Sequence, residues 1–250
     1  LFWASFLALG AAGFGFAFRV AMGGVYGTEL GLTNLQIGQV FGATLWPIAL
    51  TMIGFSLVVD RTGYRTPMYG ACALQVVSGI GTFFAGSYGS LYMFAVLAGL
   101  GHGIIEAVIN PMCAAIYPKE KTKWLTILHA AWPAGLVGGT LLIIGSSGIF
   151  DGWRIHAFWI VIPALAYGVM LRESVFPVDE RVEAGVPYIE MLKQIGFLSA
   201  SLAGFMMIYE IGNQVGALTA WTPPSNWFTL SIILGLVAGG AFGFYTKSVG

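Results

Sequence analysis

Residues 99–118, GLGHGIIEAVINPMCAAIYP, are apolar enough to cross a bilayer, yet they carry His102, Glu106 and Asn110 at i, i+4 and i+8, close to one helical face. A charged side chain at the bilayer centre costs roughly 2.5–3.5 kcal/mol on insertion scales. That face must therefore look into protein or a watery cavity, and an ionisable group in such a place reads as functional before it reads as structural. Two readings stand side by side: a static polar clasp between helices, or a substrate or proton site whose buried carboxylate is suited to reversible protonation.

The rest of the chain supplies the setting. Of its 250 residues 57% are hydrophobic and 9% charged, against about 25% charged in ordinary soluble domains. Eight apolar segments approach or exceed the ~20 residues a spanning helix needs. They lie at about 2–24, 35–59, 66–87, 91–117, 124–147, 154–173, 193–219 and 226–245, and an all-α polytopic membrane bundle follows, with the lipid bilayer as its solvent. A net charge of zero and the lack of a basic stripe argue against a nucleic-acid partner. Cys72 and Cys113 both fall inside apolar runs and form neither a disulfide framework nor a metal cluster; no metal and no cofactor is expected.

Basic residues orient the bundle. Arg61 and Arg65 follow the second segment, Lys119, Lys121 and Lys123 the fourth, Arg172, Arg181 and Lys193 the sixth, and Lys247 the eighth, whereas the alternate loops hold only Arg154. The positive-inside rule then puts the N-terminus and every even-numbered exit in the cytoplasm of a cell with a multi-pass inner or plasma membrane protein. Trp124 falls at an inner interface and Trp153, Trp221 and Trp227 at outer ones, as amphipathic rings prefer. Glycines at 99 and 103, at 135 and 139, and at 235, 239 and 243 allow close helix approach. The charged stretch at 172–194 separates six spans from two. The expected organisation is a six-helix unit at 1–174, a cytoplasmic connector at 175–192 and two further helices at 193–250. The chain begins without methionine or a signal-type segment and reads as a piece of a longer protein.

Arg19 is the one basic residue inside a span, and depth offers it two acids. At 1.5 Å per residue Glu106 stands about 16 Å above the inner boundary, and Arg19 and Glu210 each stand about 25 Å above it. Pairing with either acid is open. Asn213 and Gln214 extend a polar patch around Glu210. His129 lies just inside the fifth span and reads as a hydrogen-bonded structural histidine. Pro47, Pro111 and Pro133 are expected to kink their helices. A protease-like Gly145-Ser146-Ser147-Gly148 followed by His156 fails on spacing, since both groups flank one short loop; no enzyme is expected.

The turn VVDRTGYRTPM, residues 58–68, resembles the D-R-x-G-R signature that closes the second span of the major facilitator superfamily, with Tyr64 inserted before Arg65. Residues 99–139, with Glu106, Asn110-Pro111 and a basic turn after Pro118, are similar to the fourth and fifth spans of its sugar-carrying, fucose permease-like branch, as LTNLQIGQVFGA at 32–43 is to its second span. The resemblance implies two six-helix halves with a midplane site between them. It puts Glu106 on a carboxylate of sugar recognition and proton coupling, with Asn110 beside it. It also makes Asp60, Arg61, Gly63 and Arg65 a conformational latch. Fucose permeases carry an acid in the first span where this chain has Val20 beside Arg19, which tells against coupling by a pair of acids and admits an anionic solute.

The expectation is a secondary transporter of a small polar solute, a sugar first, with Glu106, Asn110, Arg19, His102 and Glu210 as substrate or proton-coupling residues. Protons are the candidate coupling ion, and the C-terminal half of the same protein is the missing partner. The alternatives are an organic-anion transporter built on Arg19 and a non-transporting membrane subunit. The last two spans either open the second half, as the echo of GFSLVVDRTG (54–63) in AFGFYTKSVG (241–250) suggests, or form an inserted pair.

Overall fold

Thr33 and Ser87 start two long helices by the same device. The Thr33 hydroxyl accepts from the Gln36 amide while the Gln36 side chain accepts from the Thr33 amide, at 3.3 and 3.0 Å. Ser87 and Ser90 repeat the exchange at 3.3 and 3.1 Å, and caps of this kind are each worth about 1 kcal/mol. Between such ends, in a computed structural model that describes residues 1–150, 152–219 and 221–247, every regular element is helical. The last three residues of the 241–250 echo lie outside the described residues.

The order is α1 (Phe2–Leu30), α2 (Asn34–Ser56), a one-turn α3 (Val59–Thr62), α4 (Arg65–Phe84), α5 (Tyr88–Ile116), α6 (Lys121–His129) and α7 (Ala131–Ser146). A 3-10 turn (Trp153–Ala157) leads into α8 (Phe158–Arg172), followed by α9 (Glu180–Glu183), α10 (Tyr188–Leu218) and α11 (Trp227–Thr246). The described residues group into two compact units, Leu1–Glu180 and the chain from Arg181 onward.

Seven of these helical segments are long and apolar enough to cross a membrane, with α6 and α7 counted as one. The eighth expected span, α4, is a helix of 20 residues but less apolar than the others, because it turns Gln75, Ser78 and Thr82 into the protein rather than toward lipid. Helix α1 outruns its apolar stretch: Glu29, in its last turn, is held by the Trp153 indole at 2.8 Å, and Gly31 then ends the helix at φ 66°. Pro47 and Pro111 stay within unbroken helices, whereas Pro133, which cannot donate to the His129 carbonyl, coincides with the division between α6 and α7. Helix α10 begins at Tyr188, earlier than the apolar run, and bends at Gly196, whose φ of 70° only glycine adopts easily.

Lipid tails give helices no hydrophobic reason to associate, so small residues and close backbone contact must do so. A Cβ at Gly99 would lie 2.7 Å from the Thr44 carbonyl, and Gly103 meets Ile48 and Thr51; both let α5 lie on α2. Gly135 and Gly139 do the same for α7 against Gly10 and Phe14 of α1, and Gly235 and Gly239 for α11 against Phe205 and Ser201 of α10. Helix α1 forms the axis of the first unit, 61% of its span being buried against 22% for α2 and for α6–α7. Two apolar layers flank a polar one. Phe2, Leu9, Met68, Ile109 and Tyr167 make one layer, and Phe18, Tyr26, Leu91 and Trp153 the other. Along α4 and α5, Gln75, Ser78 and His102 fall between them.

Candidate functional site

Arg19 is carried on the most enclosed helix and is itself only 3% exposed. Its guanidinium donates to the Gly15 carbonyl at 2.8 Å and to the Ser78 hydroxyl at 2.7 Å. Ser78 in turn donates to the Phe94 carbonyl at 2.7 Å, so α1, α4 and α5 are tied through one hydroxyl. Both partners of Arg19 are neutral. Within the first unit, no described Asp or Glu side chain lies at ion-pair distance from it, so of the two pairings that depth left open the one with Glu106 is not made.

A small, partly open pocket borders the guanidinium, lined by Gly15, Thr44, Gln75, Ser78 and His102 among others. It has room for little more than a water molecule. Gln75 is buried there, 3% exposed, and neither its amide nitrogen nor its amide oxygen has a partner among the described residues. Gly101 accommodates it, since a Cβ at 101 would press on the Gln75 side chain at 3.4 Å.

Glu106 pairs along its own helix. His102 Nε2 stands 3.5 Å from Glu106 Oε1, within ion-pair range but without hydrogen-bond geometry. The His102 ring lies nearly parallel to that of Trp132, at 19° and 6.5 Å between centroids. One turn further, Asn110 Nδ2 donates to the Glu106 carbonyl at 2.9 Å, and Asn110 Oδ1 lies 2.8 Å from His129 Nε2. A carbonyl only accepts, so the first bond fixes which way the amide points. Its oxygen then faces His129, which must donate from Nε2 and keep its lone pair on Nδ1 when neutral. His129 is thus an exposed hydrogen-bonded group at the α6–α7 break, continuing the line from His102 through Asn110.

Glu210, in the second unit, accepts from Gln214 Nε2 at 2.6 Å. The turn between α2 and α4 gathers Asp60 and Arg61 on α3, Gly63 at φ 67° and Arg65 at the start of α4. Its unexpected member is Tyr64, 2% exposed, which donates to Asp179 at 2.7 Å. Burial first, then the bond to Asp179, pushes the Tyr64 hydroxyl well above the usual phenol range, so it stays a donor. Arg65 lies over the Phe176 ring at 5.9 Å, and Lys121 meets Glu180 at 2.8 Å; these contacts hold the strand of chain after α8 onto the first unit.

Ser146 and Ser147 donate to the Leu142 and Ile144 carbonyls at 2.6 and 2.8 Å, and His156 Nδ1 lies near the Gly152 carbonyl, so the serine motif assembles no nucleophile and base. Among the described residues no three His, Cys, Asp or Glu side chains converge as a metal site requires. Gln75, Ser78 and Trp132 were not singled out from the sequence. The signal for the first two was a polar stripe at 75, 78 and 82, recurring every three to four residues inside a span.

A family model described as Major Facilitator Superfamily matches residues 2–249. A probable nitrate/nitrite antiporter of Thermus thermophilus, NarK1, is 23% identical over 206 residues, 78% of this chain and 46% of that protein. A probable sulfoacetate transporter of Cupriavidus necator, SauU, is 26% identical over 181 residues, 68% of this chain and 39% of that protein. The chain thus spans less than half the length of the curated relatives it matches. Among solved structures, the inward-open xylose transporter XylE of E. coli matches with a TM-score of 0.62 at 16% identity, over 98% of this chain and 68% of that one. A D-xylose-proton symporter matches at 0.61 and 15%, with the same coverage.

Proposed function

The chain belongs to the major facilitator superfamily of multi-pass membrane transporters, which are not enzymes, and from that premise we propose that it supplies one side of the solute site of a secondary active transporter working by alternating access. The solute favoured is a small anion. The observation that carries this reading is Arg19: a buried guanidinium, held by two neutral oxygens, beside a pocket and with no described carboxylate of its own unit at ion-pair distance. A desolvated charge costs several kcal/mol unless a counter-charge is brought to it, and an anionic solute supplies one only while bound. Both curated relatives are named for anions, nitrate or nitrite in one case and sulfoacetate in the other.

A sugar is the second reading, supported by the line Glu106, Asn110 and His129, whose hydrogen bonds need no charge on the solute. Under either reading Glu106, paired with His102, is the group on which a coupling proton would reside; Glu210, held by Gln214, is a separate candidate within the second unit. Residues 1–174 form the transporter half, 175–192 the connector, and 193–250 either the start of the second half or an inserted pair, completed by the rest of the same protein. The membrane is the inner or plasma membrane with the N-terminus in the cytoplasm, where the Asp60–Arg65 turn biases the inward and outward states.

Uptake of labelled nitrate, sulfoacetate and xylose by cells carrying the full-length protein decides among these readings. Anion uptake that is lost in Arg19→Gln supports the first; xylose uptake that survives Arg19→Gln and fails in Glu106→Gln supports the second. No uptake of any solute, with the protein inserted and folded, would leave a structural membrane subunit.

A further inference from the structure

Gln75 presents a donor and an acceptor into the pocket of Arg19, and neither is used by the protein. It lies one turn before Ser78 on α4, and Ser78 holds the guanidinium at 2.7 Å, so the carboxamide and the cation border the same small space. Leaving both halves of a buried amide unpartnered is costly, and native proteins seldom retain such a group without a use for it. Of the other polar groups of the pocket, His102 turns its Nε2 toward Glu106 at 3.5 Å, and the hydroxyls are committed within the protein. Thr44 spends its hydroxyl proton on the Phe41 carbonyl at 2.6 Å, and Ser78 spends its own on Phe94.

Resting on the anion reading above, we propose that Gln75 is a specificity-determining residue that selects an anion bearing a hydroxyl next to its acid group, a 2-hydroxycarboxylate, over a plain oxyanion. The acid group sits on Arg19 and accepts from Gln75 Nε2. Gln75 Oε1 then needs a proton donor, which a bare carboxylate or nitrate lacks and a neighbouring hydroxyl supplies. The enclosed end of the pocket admits little more than one oxygen of the acid group, and the adjacent carbon with its hydroxyl and the remainder of a larger solute lie toward its open side. Sites built to hydrogen-bond a substrate hydroxyl discriminate strongly against the analogue lacking it, because the protein's own polar group is then left buried and unpaired.

The test compares two probes that differ by one oxygen. Glycolate and acetate are titrated against the purified full-length transporter, with xylose as a neutral control, and binding is followed by tryptophan fluorescence, for which Trp132 against His102 is a local reporter. The expected result is glycolate binding about tenfold tighter than acetate in the native protein, with that ratio falling to about one in Gln75→Leu while acetate binding persists. Gln75→Glu, which puts a carboxylate beside Arg19, should abolish binding of both anions. Equal affinity of the native protein for the two probes, or a ratio that survives Gln75→Leu, overturns the role of Gln75 and leaves the anion reading intact. Failure of the native protein to bind either anion overturns both.

Discussion

A single guanidinium governs the polar layer of the first unit. Replacing Arg19 by Met removes a buried charge while keeping a flexible apolar chain of similar length, and exchanges of this kind are often neutral or stabilising by about 1–4 kcal/mol. Thermal unfolding of Arg19→Met should therefore occur at or above the native temperature, although anion uptake is lost. A lower melting temperature would mean that the two neutral bonds of Arg19 outweigh its desolvation. Ser78→Ala gives the opposite sign: it strips Arg19 of a bond it cannot replace, at about 1–3 kcal/mol, measurable in the same assay. Arg19 and Glu106 were legible in the sequence because a charge within an apolar run stands out against any background. Gln75 and Ser78 were not, since a neutral polar residue in a span is unremarkable until the packing shows it buried with a cation beside it. The bond from Arg19 to Ser78 was not legible for the same reason: depth along helices orders residues vertically but does not tell which way each side chain turns around its helix.

At the level of helices, glycine contacts decide which pairs lie together. Gly99→Leu would drive a branched side chain into the Thr44 carbonyl and Pro47, wedging α5 from α2 at a cost of about 1–3 kcal/mol or more. The same change at Gly138, where a Cβ would meet nothing within 4 Å, should leave stability unaltered. The pair of variants thus separates close approach from a general dislike of large residues. Pro133→Ala restores a donor for the His129 carbonyl, and α6 and α7 should then join into one helix. His129 is expected to lose its hold on Asn110, seen as slower uptake with little change in melting temperature. Span positions were legible from apolar run length alone. Helix ends were less so, because α1 continues past its apolar run with Glu29 held by Trp153, and α10 starts ahead of its own with Glu190 paired to Lys193.

On the scale of the whole chain, the stretch that follows α8 is pinned to the first unit by Tyr64, Lys121 and Arg65. Tyr64→Phe deletes the bond to Asp179, and limited proteolysis between residues 173 and 180 should quicken severalfold with the membrane-embedded part intact. The Tyr64 hydroxyl is raised from its ordinary value, so its contribution to stability is complete below the unfolded phenol value near 10 and is lost only as pH rises beyond that. Cleavage rates should accordingly show no change attributable to this phenol between pH 6 and 9. The clasp also sets a length. Measured from the end of α8 to the start of α10, residues 173–187 would extend to about 50 Å if free, but with Glu180 anchored only 181–187 can pay out, about 24 Å. Hydrogen bonds between Arg181 and Val186 take up part of that slack. The connector is therefore a short leash rather than a loose one, and releasing Tyr64, Lys121 and Arg65 together would roughly double its reach.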